Sequence, residues 1–203
     1  MNPPDPPTSG QTPPTGPDPG ARRSLRARLA AGPIARAVAR VDVGVYRLVR
    51  RRSPHSHVAP VITAYSATGS HGAVWLAIGA AGAALDPPRR SRWARGVAAV
   101  ALAYLFNTAL KNILRRRRPA FEDLPHLIKT PTQLSFPSAH ATAAFAGARA
   151  YRGLLPGRAL YPAAAAMAAS RVYLGVHYPS DILVGSVLGY VLGRAARPRL
   201  LEP

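Results

Sequence analysis

The chain of 203 residues contains no cysteine, which excludes a disulfide framework, a thiolate metal site and a cysteine nucleophile. Acidic residues are nearly as scarce. Eight Asp and Glu stand against 27 Lys and Arg, for a formal net charge of +19. That balance excludes an acidic or neutral globular enzyme and leaves a nucleic-acid binder, a membrane-surface protein or an integral membrane protein with basic loops. Sustained period-two alternation is missing, which argues against half-buried strands. So is a basic start followed by an apolar run and a small-residue cleavage site, and the first residues do not read as a secretory signal.

What is present is segregated along the chain. Residues 1–22 are rich in Pro, Gly and Thr without apolar periodicity, which predicts a disordered tail. Residues 23–53 are basic and amphipathic, with Ile34, Val38, Val41, Val45 and Leu48 at helical spacing and Arg36, Arg40 and Arg47 elsewhere. Crossing a bilayer would bury those arginines and Asp42 at roughly 2.5–3.5 kcal/mol each, so an interfacial helix is expected.

Residues 54–197 form the expected membrane domain, in which Ala/Gly/Leu/Val runs are separated by basic punctuation. The runs are Val58–Leu85, Gly96–Leu110, Ala139–Ala148, Ala159–Ala169 and Ile182–Gly193. Fifteen helical residues cover only about 22 Å of a hydrocarbon core roughly 30 Å thick, so snorkelling flanks such as Arg92, Arg95, Arg152 and Arg194 must extend them. Trp75, Trp93, Tyr161 and Tyr173 lie near run ends, where an aromatic belt is expected. The fold class is therefore read as all-α, an integral membrane bundle of about five to six transmembrane helices. A soluble helical protein with Ala-rich buried helices is the alternative.

Polar chemistry is confined to three clusters at the ends of these runs. Lys111 and Arg118 are seven residues apart, and they converge on one anion if the helix persists between them. Pro137 and Ser138 mark a helix start whose first-turn amides, at Ala139 and His140, form an anion site. In Ser170-Arg171…His177…Asp181, a carboxylate four residues after a histidine fixes its tautomer and leaves the other ring nitrogen free as nucleophile or base. Arg171 adds a bidentate phosphate donor. Taken singly, the first cluster also suits a headgroup anchor and the second an ordinary N-cap. If the runs cross in alternation, all three fall on one face of the bundle.

The ordered pattern K-x6-RP, P-S-x-H, S-R-x5-H-x3-D resembles the signature of the type 2 phosphatidic acid phosphatases, which share fold and pocket with the vanadium-dependent haloperoxidases. It is carried by Lys111, Arg118, Pro119, Pro137, Ser138, His140, Ser170, Arg171, His177 and Asp181. Ala139 departs from it, since the family usually has Gly there. The resemblance implies that Lys111, Arg118, Arg171, Ser138 and the amides at Ala139 and His140 cradle a phosphate. It further implies that His177 attacks phosphorus with Asp181 orienting its ring, while His140 protonates the leaving alkoxide. No metal or other cofactor is called for, and carboxylates near the motifs are too few for a two-metal site.

The implied partners are a phosphorylated membrane lipid and the bilayer itself, with no nucleic acid, in a multi-pass protein of the plasma membrane. Small size and an Ala/Arg/Pro-heavy composition resemble compact high-GC actinobacterial phosphatases and point to decaprenylphosphoryl-5-phosphoribose. Polyprenyl pyrophosphate, phosphatidylglycerophosphate and phosphatidic acid compete with it, and a haloperoxidase or a basic surface binder are the readings from other classes. The distribution of arginines favours a re-entrant or double crossing within residues 58–85, hinged near Ser66–Gly72, with the N-terminus cytoplasmic and the motifs on the outer face.

Overall fold

The computed structural model describes residues 32–52 and 57–195. The predicted tail and the start of the predicted interfacial segment lie outside them. Among the described residues there are seven α-helices: α1 (Pro33–Arg52), α2 (Ala59–Thr68), α3 (Ala73–Leu85), α4 (Arg90–Leu114), α5 (Ala139–Ala150), α6 (Gly157–Tyr173) and α7 (Pro179–Arg194). No strand occurs among them, as expected from the missing period-two pattern.

The bundle is built around α5. Nine of its 12 residues are buried, and its Ala and Gly side chains let α4, α6 and α7 approach on all sides. Contact with α7 is closest, because Gly185, Gly189 and Gly193 recur every fourth residue and face the α5 backbone. A Cβ at Gly189 would lie 2.1 Å from the Thr142 carbonyl oxygen, and one at Gly193 2.5 Å from that of Ala146. These positions admit glycine alone, as in close helix crossings inside membranes.

Outward faces are apolar. Leu102, Leu105, Phe106 and Ile113 of α4, and Leu183, Val187 and Val191 of α7, are exposed, and a bilayer would cover them. Among the described residues one helical stretch, Pro87–Leu114, is long and apolar enough to cross a membrane, and Ser70–Leu85 is a shorter apolar helix. At 12 residues α5 is only about 18 Å long, so it serves as an enclosed central post.

Three expectations are corrected. Trp75 and Trp93 form no surface belt: both are buried in the core against α5 and Tyr151. The helix carrying Lys111 does not persist to Arg118. It ends at Leu114, where Arg115 takes a left-handed conformation with φ 53°, and Arg118 returns from the following loop. Residues 58–85 do break where expected, at Ser70–Gly72, with positive φ at His71 and Gly72. The two halves nevertheless do not form a hairpin: α2 packs on α6 and α3 on α4.

One stripe of α1 is fixed to the end of the bundle that carries the motifs. Its Asp42, Tyr46 and Arg50, one turn apart on one stripe, are buried and bond to the loops that carry the motifs. Tyr46 donates to the Gly175 carbonyl at 3.2 Å, and Arg50 donates to the carbonyls of Tyr173 and Pro125. Meanwhile Val41, Val45 and Leu48 are exposed on the other side. The helix is amphipathic, with Asp42, Tyr46 and Arg50 facing the protein and Val41, Val45 and Leu48 facing outward.

Candidate active site

The alternation of α4, α5, α6 and α7 brings the three polar clusters to one end of the bundle. Lys111 sits in the last turn of α4, Ser138 caps α5, His140 lies in its first turn, Arg171 ends α6, and Asp181 lies in the first turn of α7. A cavity of about 360 Å³ is lined by Lys111, Arg118, Ala139, His140, Arg171 and His177. Sequence positions 66 residues apart thus converge through four helix ends and two loops.

His177 is held between two charged groups in the loop before α7. Its Nδ1 faces Asp181 Oδ2 at 3.4 Å, and its Nε2 faces Arg118 Nη1 at 3.2 Å. A carboxylate only accepts and a guanidinium only donates, so these bonds assign the proton to Nδ1 and the lone pair to Nε2. Burial, followed by the charges of Arg118, Lys111 and Arg171, pulls the imidazole well below its usual value of 6.5, which keeps Nε2 unprotonated at neutral pH. Arg118 is itself anchored by donating to the carbonyls of Thr132 (2.8 Å) and Val176 (2.7 Å). Burial lowers its guanidinium to about 10, so it remains a cation at pH 7.

Across the cavity, Arg171 Nη1 donates to Ser66 Oγ of α2 at 2.6 Å, and Lys111 Nζ donates to the Leu134 carbonyl at 3.3 Å. His140 Nε2 and Arg171 Nε are buried with no hydrogen-bond partner. Orphaned donors and acceptors in a polar cavity point to a ligand that satisfies them. Lys111, Arg118, Arg171, two imidazoles and the head of α5 line this cavity, a donor set whose chemistry suits a tetrahedral anion. Among the described residues no group of three or more His, Asp or Glu is arranged to hold a metal.

Two expected residues occupy other stations. Ser138 is fully buried and caps α5, accepting from the Ala141 amide at 3.5 Å, and it is not among the cavity-lining residues. Ser170 donates to the Met167 carbonyl within α6. Sequence reasoning also missed residues. Arg116 Nη1 bonds Asp181 Oδ1 at 2.8 Å while Nη2 bonds Asp42 Oδ2 at 2.7 Å. Nothing in a run of four arginines separates Arg116 from its neighbours, although an aspartate inside the basic α1 segment was a signal. His71, Tyr104 and Lys129 also line the cavity, with His71 Nδ1 2.7 Å from the Tyr104 hydroxyl.

Residues 93–199 match the PAP2 superfamily. The chain belongs to the PAP2 superfamily. Over 126 residues, 60% of this chain and 68% of the relative, it is 42% identical to the decaprenylphosphoryl-5-phosphoribose phosphatase of Mycolicibacterium smegmatis. Two solved structures share the PAP2 fold seen here. The transmembrane PAP2 type phosphatidylglycerolphosphate phosphatase of Bacillus subtilis superposes with a TM-score of 0.67 at 22% identity, over 87% of this chain and 91% of that one. Aquifex aeolicus LpxE gives 0.65 at 24% identity, over 76% and 93%. This PAP2 chain is thus an all-α membrane protein and a phosphoric monoester hydrolase.

Proposed function

We propose that the protein removes a phosphate from a membrane lipid through a phosphohistidine intermediate, without a metal. The observation that carries this reading is the His177 ring, whose Nε2 lone pair points into a cavity walled by Arg118, Lys111 and Arg171. On substrate entry Arg118 exchanges its bond to Nε2 for one to a phosphate oxygen. Nε2 attacks phosphorus, an N–P bond forms, and the P–O bond to the lipid alcohol breaks. His140 supplies the proton to the leaving alkoxide. Water then attacks phosphorus and returns a proton to His140, the N–P bond breaks, and inorganic phosphate leaves. Asp181 stabilises the imidazolium produced in the first step. The three cations and the amides at the head of α5 stabilise charge on the equatorial oxygens.

The substrate proposed is decaprenylphosphoryl-5-phosphoribose, losing its 5-phosphate. Two observations support it: the resemblance to the mycolicibacterial enzyme, and the polar lining beyond the cradle, where His71, Tyr104, Thr108 and Lys129 suit a sugar better than an acyl chain. Residues 54–197 would form the phosphatase domain of a multi-pass plasma-membrane protein, with residues 23–53 lying at the interface. Phosphate release by purified protein from this lipid, a polyprenyl pyrophosphate, phosphatidylglycerophosphate and phosphatidic acid tests the assignment. Highest kcat/KM on the phosphoribose lipid is expected, undiminished by EDTA and inhibited by orthovanadate as a trigonal-bipyramidal mimic. Activity lost to chelator and restored by magnesium overturns the metal-free mechanism, and preference for another lipid overturns the substrate.

A further inference from the structure

Asp42 and Asp181 are two of the five carboxylates among the described residues, and both are buried. They come from the first and last of the described helices, yet one guanidinium joins them. Arg116 Nη1 reaches Asp181 Oδ1 at 2.8 Å and Nη2 reaches Asp42 Oδ2 at 2.7 Å. Asp42 is also fixed from α7, accepting from the Ser180 amide at 2.8 Å and the Ser180 hydroxyl at 2.6 Å. The Arg116 guanidinium lies over the Tyr178 ring, 4.3 Å from its centroid, and donates to Ser180 Oγ at 2.7 Å. Both oxygens of each carboxylate in this network have a hydrogen-bond partner, the condition under which buried charges rigidify a site.

We propose that Arg116 and Asp42 are positioning residues for the Asp181–His177 pair, so that α1 completes the catalytic apparatus although Asp42 precedes the region that matches the family. The inference rests on the reading of His177 as nucleophile. Asp181 Oδ2 accepts from the Tyr178 amide at 2.9 Å and faces His177 Nδ1 only at 3.4 Å. Among the described residues Arg116 is the cation bonded to Oδ1, so it helps set the carboxylate's orientation and the share of its charge felt by His177. Arg116 reaches it from a loop that follows a left-handed residue, and Asp42 on α1 is what stops that guanidinium from swinging outward. Tyr46 and Arg50, one and two turns further along α1, hold the carbonyls of Gly175 and Tyr173 in the same catalytic loop. Val41, Val45 and Leu48 leave the other face of this clamp apolar and exposed, as contact with a membrane surface would require.

A purely structural tether would also join α1 to the loop, so the test must read catalysis. The groups facing His177 and Asp181 are Lys111 of α4, Arg116 and Arg118 of the next loop, His140 of α5, Arg171 of α6 and Tyr178 at the head of α7. Asp42 of α1 stands behind Arg116. Full-length Asp42→Asn and Arg116→Lys, purified in detergent and assayed on whichever panel lipid the wild type hydrolyses fastest, should lose about 10- to 100-fold in kcat. KM should stay within about twofold, because the phosphate cradle is intact. Arg116→Gln should in addition move the acid limb of kcat/KM to higher pH, since removing a cation beside the pair makes His177 easier to protonate. Arg116→Lys, which keeps the charge, should leave that limb in place. Wild-type kcat per folded molecule and an unmoved limb in Asp42→Asn and Arg116→Gln, with only a lowered melting temperature, overturn the proposal. If those variants do not fold, Ser180→Ala removes a single hydroxyl from the network. A severalfold loss of kcat in it supports the proposal, and an unchanged kcat overturns it. Activity surviving in His177→Ala is the separate result that would remove the mechanism itself.

Discussion

Arg118 Nη1 stands 3.2 Å from His177 Nε2, so the ring nitrogen proposed as the nucleophile rests hydrogen-bonded to a cation that lines the same cavity. Burial and that cation together oppose protonation of the ring.

Replacing His177 by Ala removes the group that forms the N–P bond, and replacing His140 by Ala removes the proton donor. Each should reduce phosphate release by about a thousandfold or more, while circular dichroism and elution in detergent stay those of the wild type. Radiolabel from a ³²P-labelled substrate should be trapped on quenched wild-type protein and absent from His177→Ala.

The pH dependence follows from the lowered value of His177. Attack needs the neutral ring, so kcat/KM should stay high below pH 6.5 and its acid limb should lie under that value. The same shift affects stability. Below pH 6.5 the unfolded chain binds a proton at this position that the folded chain refuses, so the stability present above that pH is lost as pH falls toward the folded value. Melting curves recorded from pH 8 to pH 5 should show the midpoint falling only over the acid part of the range.

Arg171 spans the cavity to Ser66 with one nitrogen and leaves Nε free for the anion. Arg171→Lys keeps the charge but offers no second donor in that plane, and a loss of about 10- to 100-fold in kcat/KM is expected. Ser66→Ala should reproduce a small part of that loss through a loosened guanidinium.

Residues 58–85 fold as two helices that do not pair with each other, and Asp42 of α1 bonds the head of α7 beside the motif loops. Cysteines introduced singly at Arg51, Pro88 and Glu122 of this cysteine-free chain should label with a membrane-impermeant maleimide as two classes. Positions 51 and 122 should behave alike and position 88 oppositely. Joint labelling of 51 and 88 would restore the hairpin.

The family motifs were legible because each lies at a helix end, where a polar residue after an apolar run has few structural uses. Lys111, His140, Arg171 and His177 line one cavity as their spacing and alternation implied. The break near Ser70–Gly72 was legible for a similar reason, a cluster of small and polar residues inside an uncharged run. Other features were hidden. Trp75 and Trp93 read as belt residues because run ends are where belts occur, and only three-dimensional packing against glycines buries them. The Asp42–Arg116–Asp181 link joins positions that share no periodicity, and the way Arg118 enters the site depends on one left-handed residue, Arg115, that has no glycine to announce it.

The glycine ladder on α7 has a bearing on the membrane as a solvent. Because Gly185, Gly189 and Gly193 place backbone against backbone of α5, the separation between the helix that presents His140 and the one that presents Asp181 is a hard-contact distance. Bilayers of different thickness, or a detergent micelle, can tilt such a unit or stretch the lipids around it. They have little purchase on its internal dimensions. The two helices act as a calibrated gauge block, so the enzyme's response to its host membrane is expected in how readily the lipid reaches the cavity, with the dimensions of the phosphate cradle unchanged.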